Sequence, residues 1–254
     1  MLPRTTSVWG SVTDVGIVVN GLPGWLEGSA FTALAEIAPD TTEIVARAVA
    51  SDGRTGRTTI PITVATAPAL ALAAMPWSGV APLAVRFSLA AGTSVATVEL
   101  DADSDGVTDV VGRTLDDQVV TYTRPGIYVA RAVITDVGGA VSTASTVVRV
   151  FDAATLDAHL REKWRAMRDA LRRGDITAGV SHIVQRRRAD YERAFRLLSP
   201  SLPAIDSILT DVVPLRVRNA AATYEMRRLD DGLLTSFEVR FAIDGDGVWR
   251  VEAF

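Results

Sequence analysis

The sequence predicts a multidomain chain: two all-β sandwiches, then an α+β cone in which helices cover a curved antiparallel sheet. Three observations predict it. Up to Phe151, short runs rich in Val, Ile, Thr and Ala alternate with Gly, Asp and Pro turn signals, the rhythm of half-buried strands. Near Phe151 the period changes to three and four, the spacing of a helix face. The last forty or so residues return to alternation broken by Asp-Gly turns. With 254 residues and about 100–150 per domain, two domains fit, or three if some are small. The expected bounds are 1–66, 67–151 and 152–254.

In chain order, strands are expected over 16–20, 43–51, 58–65, 83–89, 96–100, 118–122, 127–135 and 142–150. Turn signals separate them at the spacing of a sandwich. Leu156, Leu160, Trp164, Met167 and Leu171 then make one helix stripe, and Gly174 is placed to stop it. Asp175 reads as the N-cap of a second helix carrying Ile176, Val180, Ile183 and Val184. Tyr191, Phe195 and Leu198 give a third stripe. Pro200 and Pro203 break it, and Ile205, Ile208 and Leu209 suggest a short last helix. Strands are expected over 212–219, 221–229, 234–243 and 248–254. Asp230-Asp231-Gly232 and Asp244-Gly245-Asp246-Gly247 turn between the last three. Phe237, Val239 and Phe241 alternate with Glu238 and Arg240, so one sheet face is buried and the other polar.

Composition narrows the chemistry. Hydrophobic residues are 48% and charged residues 22%, ample for packed cores. A net charge of -4 with no large basic block gives no phosphate-tracking surface, so no nucleic acid partner is expected. The arginines at 161, 165, 168, 172, 173 and 186–188 read as solvated helix faces. The absence of Cys excludes disulfides, thiolate metal sites and Cys nucleophiles. His159 and His182, the two histidines, cannot build a multi-His metal site. Residues 1–4 lack the charged and apolar regions of a signal peptide. The most apolar run, 67–75, is too short to span a bilayer and contains Pro68, so no membrane insertion is expected.

The sharpest polar motif is Asp101-x-Asp103-x-Asp105-Gly106-x-x-Asp109. Carboxylates at positions 1, 3, 5 and 9 around a Gly match the first part of an EF-hand-type loop, where alternate residues converge on one hard cation. This makes Ca²⁺ the expected cofactor. Position 12 is Gly112 instead of an acid, with Asp116 or Asp117 as substitutes from the next loop. The competing reading is an Asp-rich turn whose side chains satisfy local backbone N–H groups.

Three resemblances follow from quoted residues. Ser78-Gly79-Val80-Ala81-Pro82-Leu83-Ala84-Val85-Arg86-Phe87-Ser88, Tyr122-Thr123-Arg124-Pro125-Gly126-Ile127-Tyr128-Val129-Ala130, Val133-Ile134-Thr135-Asp136 and Gly138-Gly139 resemble a polycystic kidney disease (PKD) domain. Where that family carries Trp-Asp-Phe-Gly-Asp-Gly, this chain has Glu99-Leu100-Asp101-Ala102-Asp103-Ser104-Asp105-Gly106. Gly10-Ser11-Val12-Thr13-Asp14, Val18-Val19-Asn20-Gly21-Leu22, Phe31, residues 38–48 and Ser51-Asp52-Gly53 resemble bacterial immunoglobulin-like repeats. No strand precedes Val8-Trp9-Gly10 as that family requires, so this sandwich is expected to be incomplete, trimmed from or completed by something longer. Ala170-Leu171-Arg172-Arg173-Gly174-Asp175-Ile176 and residues 246–254 resemble the nuclear-transport-factor-2-like (SnoaL-like) fold, and Phe254 is expected to be a native C-terminus.

That last resemblance implies a pocket between sheet and helices, with Trp164, Tyr191, Tyr224, Glu238 and Arg240 as lining candidates beside Glu225, Arg227 and Trp249. The bland alternative is a surface ion-pair ladder of Glu238, Arg240, Glu225 and Arg227. No Ser-His-Asp order and no Gly-rich phosphate loop occurs, so no catalytic residue is assigned. Together the resemblances imply a non-enzymatic structural, adhesive or binding module. It would be the C-terminal part of a larger secreted or cell-surface bacterial protein. Its partners would be a surface protein, a polysaccharide or neighbouring domains. Two rivals are a ligand-binding or enzymatic pocket in the C-terminal domain, and an assembly subunit joined through N-terminal edge strands.

Overall fold

A computed structural model describes residues 15–27, 30–33, 35, 37, 41–50, 54–64 and 70–254. The segment around Val8-Trp9-Gly10, the turns at 38–40 and 51–53, and the start of the apolar run at 67–69 lie outside the described residues. The chain divides into two compact units, Met1–Asp152 and Ala153–Phe254. Among the described residues no helix is long and apolar enough to cross a membrane.

The first unit contains two sheet assemblies. One is an antiparallel sheet of β1 (Val15–Val19), β2 (Leu22–Glu27), β3 (Ala30–Thr32), β4 (Glu43–Ala50) and β5 (Thr55–Pro61), in the order β3-β2-β1-β4-β5. Asn20 and Gly21, with φ of 47° and 84°, make the two-residue turn between β1 and β2. Such a turn needs both central residues at positive φ, which Asn tolerates and Gly adopts freely. Asn20 also accepts the Val45 N–H through Oδ1 at 2.8 Å, tying the turn to β4. Among the described residues its core comprises Ile17, Val19 and Ala46, with Ala33, Ala35, Ile44 and Ala48 against them.

The second assembly is sandwich-like. β6 (Leu70–Met75), β8 (Leu83–Ala91) and β11 (Val119–Tyr122) form one sheet, in the order β11-β8-β6. β7 (Ser78–Val80), β9 (Val95–Asp101), β10 (Val110–Gly112), β12 (Gly126–Asp136) and β13 (Val141–Phe151) form the other, in the order β10-β9-β12-β13-β7. Period-two burial shows in β8, where Leu83, Val85 and Phe87 are buried and Ala84, Arg86 and Ser88 exposed. Val98 and Leu100, Ala130 and Ala132, and Val148 and Val150 meet them from the facing sheet.

In the second unit, α1 (Ala153–Arg172) buries the expected stripe of Leu156, Leu160, Trp164, Met167 and Leu171. It ends in a Schellman motif: Gly174, at φ 75°, donates to Leu171 O, and Asp175 N–H reaches Ala170 O. Asp175 caps α2 (Ile176–Ser181) by accepting the Ala178 N–H at 2.9 Å. The second helix is shorter than the pattern predicts. Ile183 and Val184 leave it, and Ile183 bridges Val251 in parallel while Val184 N–H donates to Val251 O. Both are β-branched, and a strand's open edge offers them hydrogen bonds that a helix end does not. A 3-10 turn (Gln185–Arg187) leads to α3 (Arg188–Leu197), and a second (Ser199–Ala204) to α4 (Ile205–Ile208). The sheet is antiparallel: β14 (Val212–Arg218), β15 (Ala221–Asp230), β16 (Leu233–Ile243) and β17 (Trp249–Ala253), in that order.

Candidate functional site

The β9–β10 loop gathers acids because its two ends are paired. Asp101 closes β9, Asp109 N–H donates to Leu100 O at 2.8 Å, and Val110 lies opposite Leu100. Eight residues must reverse within that span. Ser104 and Gly106 do so at φ of 58° and 89°, and the Ser104 hydroxyl donates to the Val129 carbonyl.

Each carboxylate accepts a backbone N–H of the loop. Asp101 Oδ2 takes Gly106, Asp103 Oδ1 takes Asp105, Asp105 Oδ1 takes Val107 and Asp109 Oδ2 takes Ala102, at 2.7–3.2 Å. These are the bonds of an Asp-rich turn. Beyond them, Asp101, Asp103 and Asp109 each offer an oxygen, all within 4.8 Å of one another. Asp105 does not join that group. Asp101 Oδ1 is closed off from solvent and accepts no hydrogen bond. Asp116 and Asp117 do not join either, and Asp116 is engaged by Thr114 Oγ1 at 2.6 Å.

Electrostatics follow from this crowding. The Asp103 carboxyl is held above its ordinary range. Burial contributes most, the Asp105 N–H opposes it, and repulsion from Asp105, Asp109 and Asp101 adds to it. Tyr122, beneath the loop, donates its hydroxyl to Ala102 O at 2.8 Å. Its ionisation is pushed well up by burial first, then by Asp103 and Asp109. Three converging carboxylate oxygens form a hard-ligand set suited to Ca²⁺. That ion takes six to eight oxygens, so carbonyls or water would complete the shell.

The residues expected to line one pocket in the second unit are divided among different places. Trp164 is buried, donates Nε1–H to Thr210 O at 2.8 Å and meets the Phe254 ring edge-on at 5.2 Å. Tyr191 lies 4.8 Å from the same ring. Tyr224 is buried elsewhere, against Phe241 at 5.1 Å, with its hydroxyl on Asp157 Oδ1 at 3.0 Å. Burial first, then the Asp157 charge, pushes its ionisation well up.

Register settles the other two. Tyr224 lies opposite Val239, whereas Glu238 lies opposite Glu225 and Arg240 opposite Thr223. Since side chains alternate along a strand, Glu238 and Arg240 are on the sheet face opposite Tyr224. They cannot share a pocket with it. The anticipated cross-strand ladder is also rearranged. Glu225 pairs with Arg227 on its own strand at 2.6 Å and accepts from Ser236 Oγ at 2.6 Å, while Arg240 lies 3.6 Å from Glu238 and 3.7 Å from Glu252. Trp249 is a core residue.

One polar cluster was not anticipated as more than a turn. In Asp244-Gly245-Asp246-Gly247, both acids turn inward onto Arg250, at 3.0 Å from Asp244 and 2.5 Å from Asp246. Asp244 Oδ2 also accepts the Gln185 N–H at 2.8 Å, fastening the β16–β17 turn to the helical layer. Burial acts to raise the Asp246 carboxyl, but hydrogen bonding and the charge of Arg250, with the Val248 N–H, outweigh it and hold it low. Arg250 and the backbone N–H groups of Gln185, Gly245 and Val248 engage these two carboxylates within the fold. Comparison with protein-family models and with curated proteins gives no match.

Proposed function

We propose that the chain is a non-catalytic structural and binding module that works outside the cell, and that its β9–β10 loop takes a calcium ion. The observation that carries the reading is the convergence of Asp101, Asp103 and Asp109 within 4.8 Å, with a solvent-excluded Asp101 oxygen lacking any donor. Acids packed this closely repel unless a cation neutralises them. The resemblance of residues 67–151 to a PKD domain, of 1–66 to immunoglobulin-like repeats and of 152–254 to the nuclear-transport-factor-2-like fold supports the spacer role and a protein or polysaccharide partner. Fold likeness alone does not fix function, so the loop bears the weight. Isothermal titration of the chelator-treated chain with Ca²⁺ tests it. One site is expected, with Kd in the ~10⁻⁴–10⁻³ M range of extracellular modules. Asp101→Asn should abolish the heat, and an unchanged isotherm in that variant overturns the assignment.

A second reading has its own observation. β5 is an outer strand with β4 on one side, no described strand on the other, and all its residues exposed. An open edge of this kind pairs readily with a strand of another chain, which supports an assembly subunit. Thr59→Pro should then lower the oligomeric mass measured by light scattering, whereas a monomeric wild type at high concentration excludes it.

A further inference from the structure

Phe254 follows β17 and turns its ring into the helical layer instead of extending the strand pairing. Trp164 of α1 meets it edge-on at 5.2 Å, Tyr191 of α3 at 4.8 Å, and Phe195 of α3 is stacked at 6.4 Å. All three lie within the separations at which aromatic rings attract. Trp164 and Phe195 are almost wholly buried, at 1% and 2% exposure, so the slot belongs to the interior. Its polar contacts are as specific as its apolar ones. The Tyr191 hydroxyl accepts the Phe254 N–H at 3.0 Å and faces the Phe254 carbonyl oxygen at 3.4 Å. One side chain therefore recognises a ring together with the amide that bears it.

We propose that Trp164, Tyr191 and Phe195 form a binding slot for an aromatic ring carrying an adjacent amide, held shut in the resting chain by Phe254. Phe254 is the removable part, because Trp164, Tyr191 and Phe195 are fixed within helices while it lies just beyond the last strand. Withdrawing its ring leaves an apolar hole, and apolar holes of ring size stay dry and take planar hydrocarbons. The occupant in trans is a molecule of the same chemistry: an aromatic amino-acid amide or a peptide's aromatic residue. A slot that is mostly filled binds such a ligand weakly in proportion to the fraction that is open. This inference does not rest on the cation reading and survives its failure.

The probe is N-acetyl-L-phenylalaninamide. Phe254→Ala should bind it about tenfold or more tightly than the intact chain, and binding should raise the variant's melting temperature. Phe254→Leu, which keeps the slot filled, should behave as the intact chain does. Adding Tyr191→Phe to Phe254→Ala should remove the preference for the amide over ethylbenzene while leaving the ring bound. In the intact chain, a 4-fluorophenylalanine at position 254 should move toward its solvent-exposed ¹⁹F shift as the probe is added. That reading stands even if Phe254→Ala does not fold. Equal affinity in Phe254→Ala and the intact chain, or a fluorine signal that stays fixed under excess probe, overturns the proposal.

Discussion

Asp103 is held above the ordinary carboxylate range, while Asp206, Glu225 and Asp246 are held below it by arginine partners. The two directions have opposite consequences. A raised acid stabilises the fold fully below its unfolded value, and that contribution is lost as pH rises through the folded one. Without calcium, Asp103 therefore opposes the fold at neutral pH, and Asp103→Asn should melt no lower than wild type in chelator. Under the proposed calcium assignment the order reverses in millimolar calcium, because the variant lacks one of the three proposed ligands. Asp246 works the other way: its contribution is present above the unfolded value and is lost as pH falls through the depressed one. Arg250→Met leaves Asp244 and Asp246 buried without their cation, so we expect a loss of about 3–5 kcal/mol in urea unfolding at neutral pH. Part of that loss should be recovered on acidification, the reverse of wild-type behaviour. The first cluster was legible because alternate acids around a Gly form a countable spacing. The second was not. Asp-Gly-Asp-Gly reads as a solvated turn until the fold shows Arg250 beneath it, and burial of a turn is a tertiary property.

Elements were legible where the apolar period ran long enough. The α1 stripe, its Gly174 stop and the Asp175 cap are each local, and each is where the residues place it. β2, β3, β6, β7 and β10 fall outside the strand spans expected from the sequence, and for β2 and β10 the physical reason is plain. β2 carries Pro23 and Gly24, weak strand formers, yet it is held by pairing with β1 across Asn20-Gly21. That dipeptide was the available signal. β10 has three residues and exists because β9 templates it. Two substitutions test the element-level account. A Cβ at Gly179 would lie 2.7 Å from Leu171 Cδ2, in the close approach of α2 to α1. Leu171 is fully buried, so its side chain yields only by displacing core neighbours, and Gly179→Ala should destabilise by about 1–3 kcal/mol despite Ala's better helix propensity. Ala220, in the β14–β15 turn, sits at φ 59°, a conformation that costs an L-residue about 1–2 kcal/mol. Ala220→Gly should relieve part of that and raise the midpoint of urea unfolding.

At the scale of the whole molecule, the chain is β-rich and built of two units, each with its own buried residues. They divide between Asp152 and Ala153, where strand alternation gives way to a helix stripe. The order of layers was readable because each change of period marks a change of layer. Which side chains face one another across a sheet was not, since it depends on register, and a one-residue step moves a side chain to the other face. That is why the sequence pattern alone does not separate Glu238 and Arg240 from Tyr224, whereas the register does. The proposed calcium loop lies in the first unit, so the stabilisation is expected in that unit. The most direct measurement is thermal melting of the intact chain in excess chelator and in several millimolar calcium, followed with a strand-sensitive signal. At several millimolar calcium, a few times to tens of times the Kd, mass action stabilises by about 1–2 kcal/mol. For a unit of this size that raises the strand-rich melting by roughly 2–8 °C. Asp101→Asn should show no rise. A melting curve that is the same in chelator and in calcium would contradict the account and leave residues 101–109 as a solvated turn.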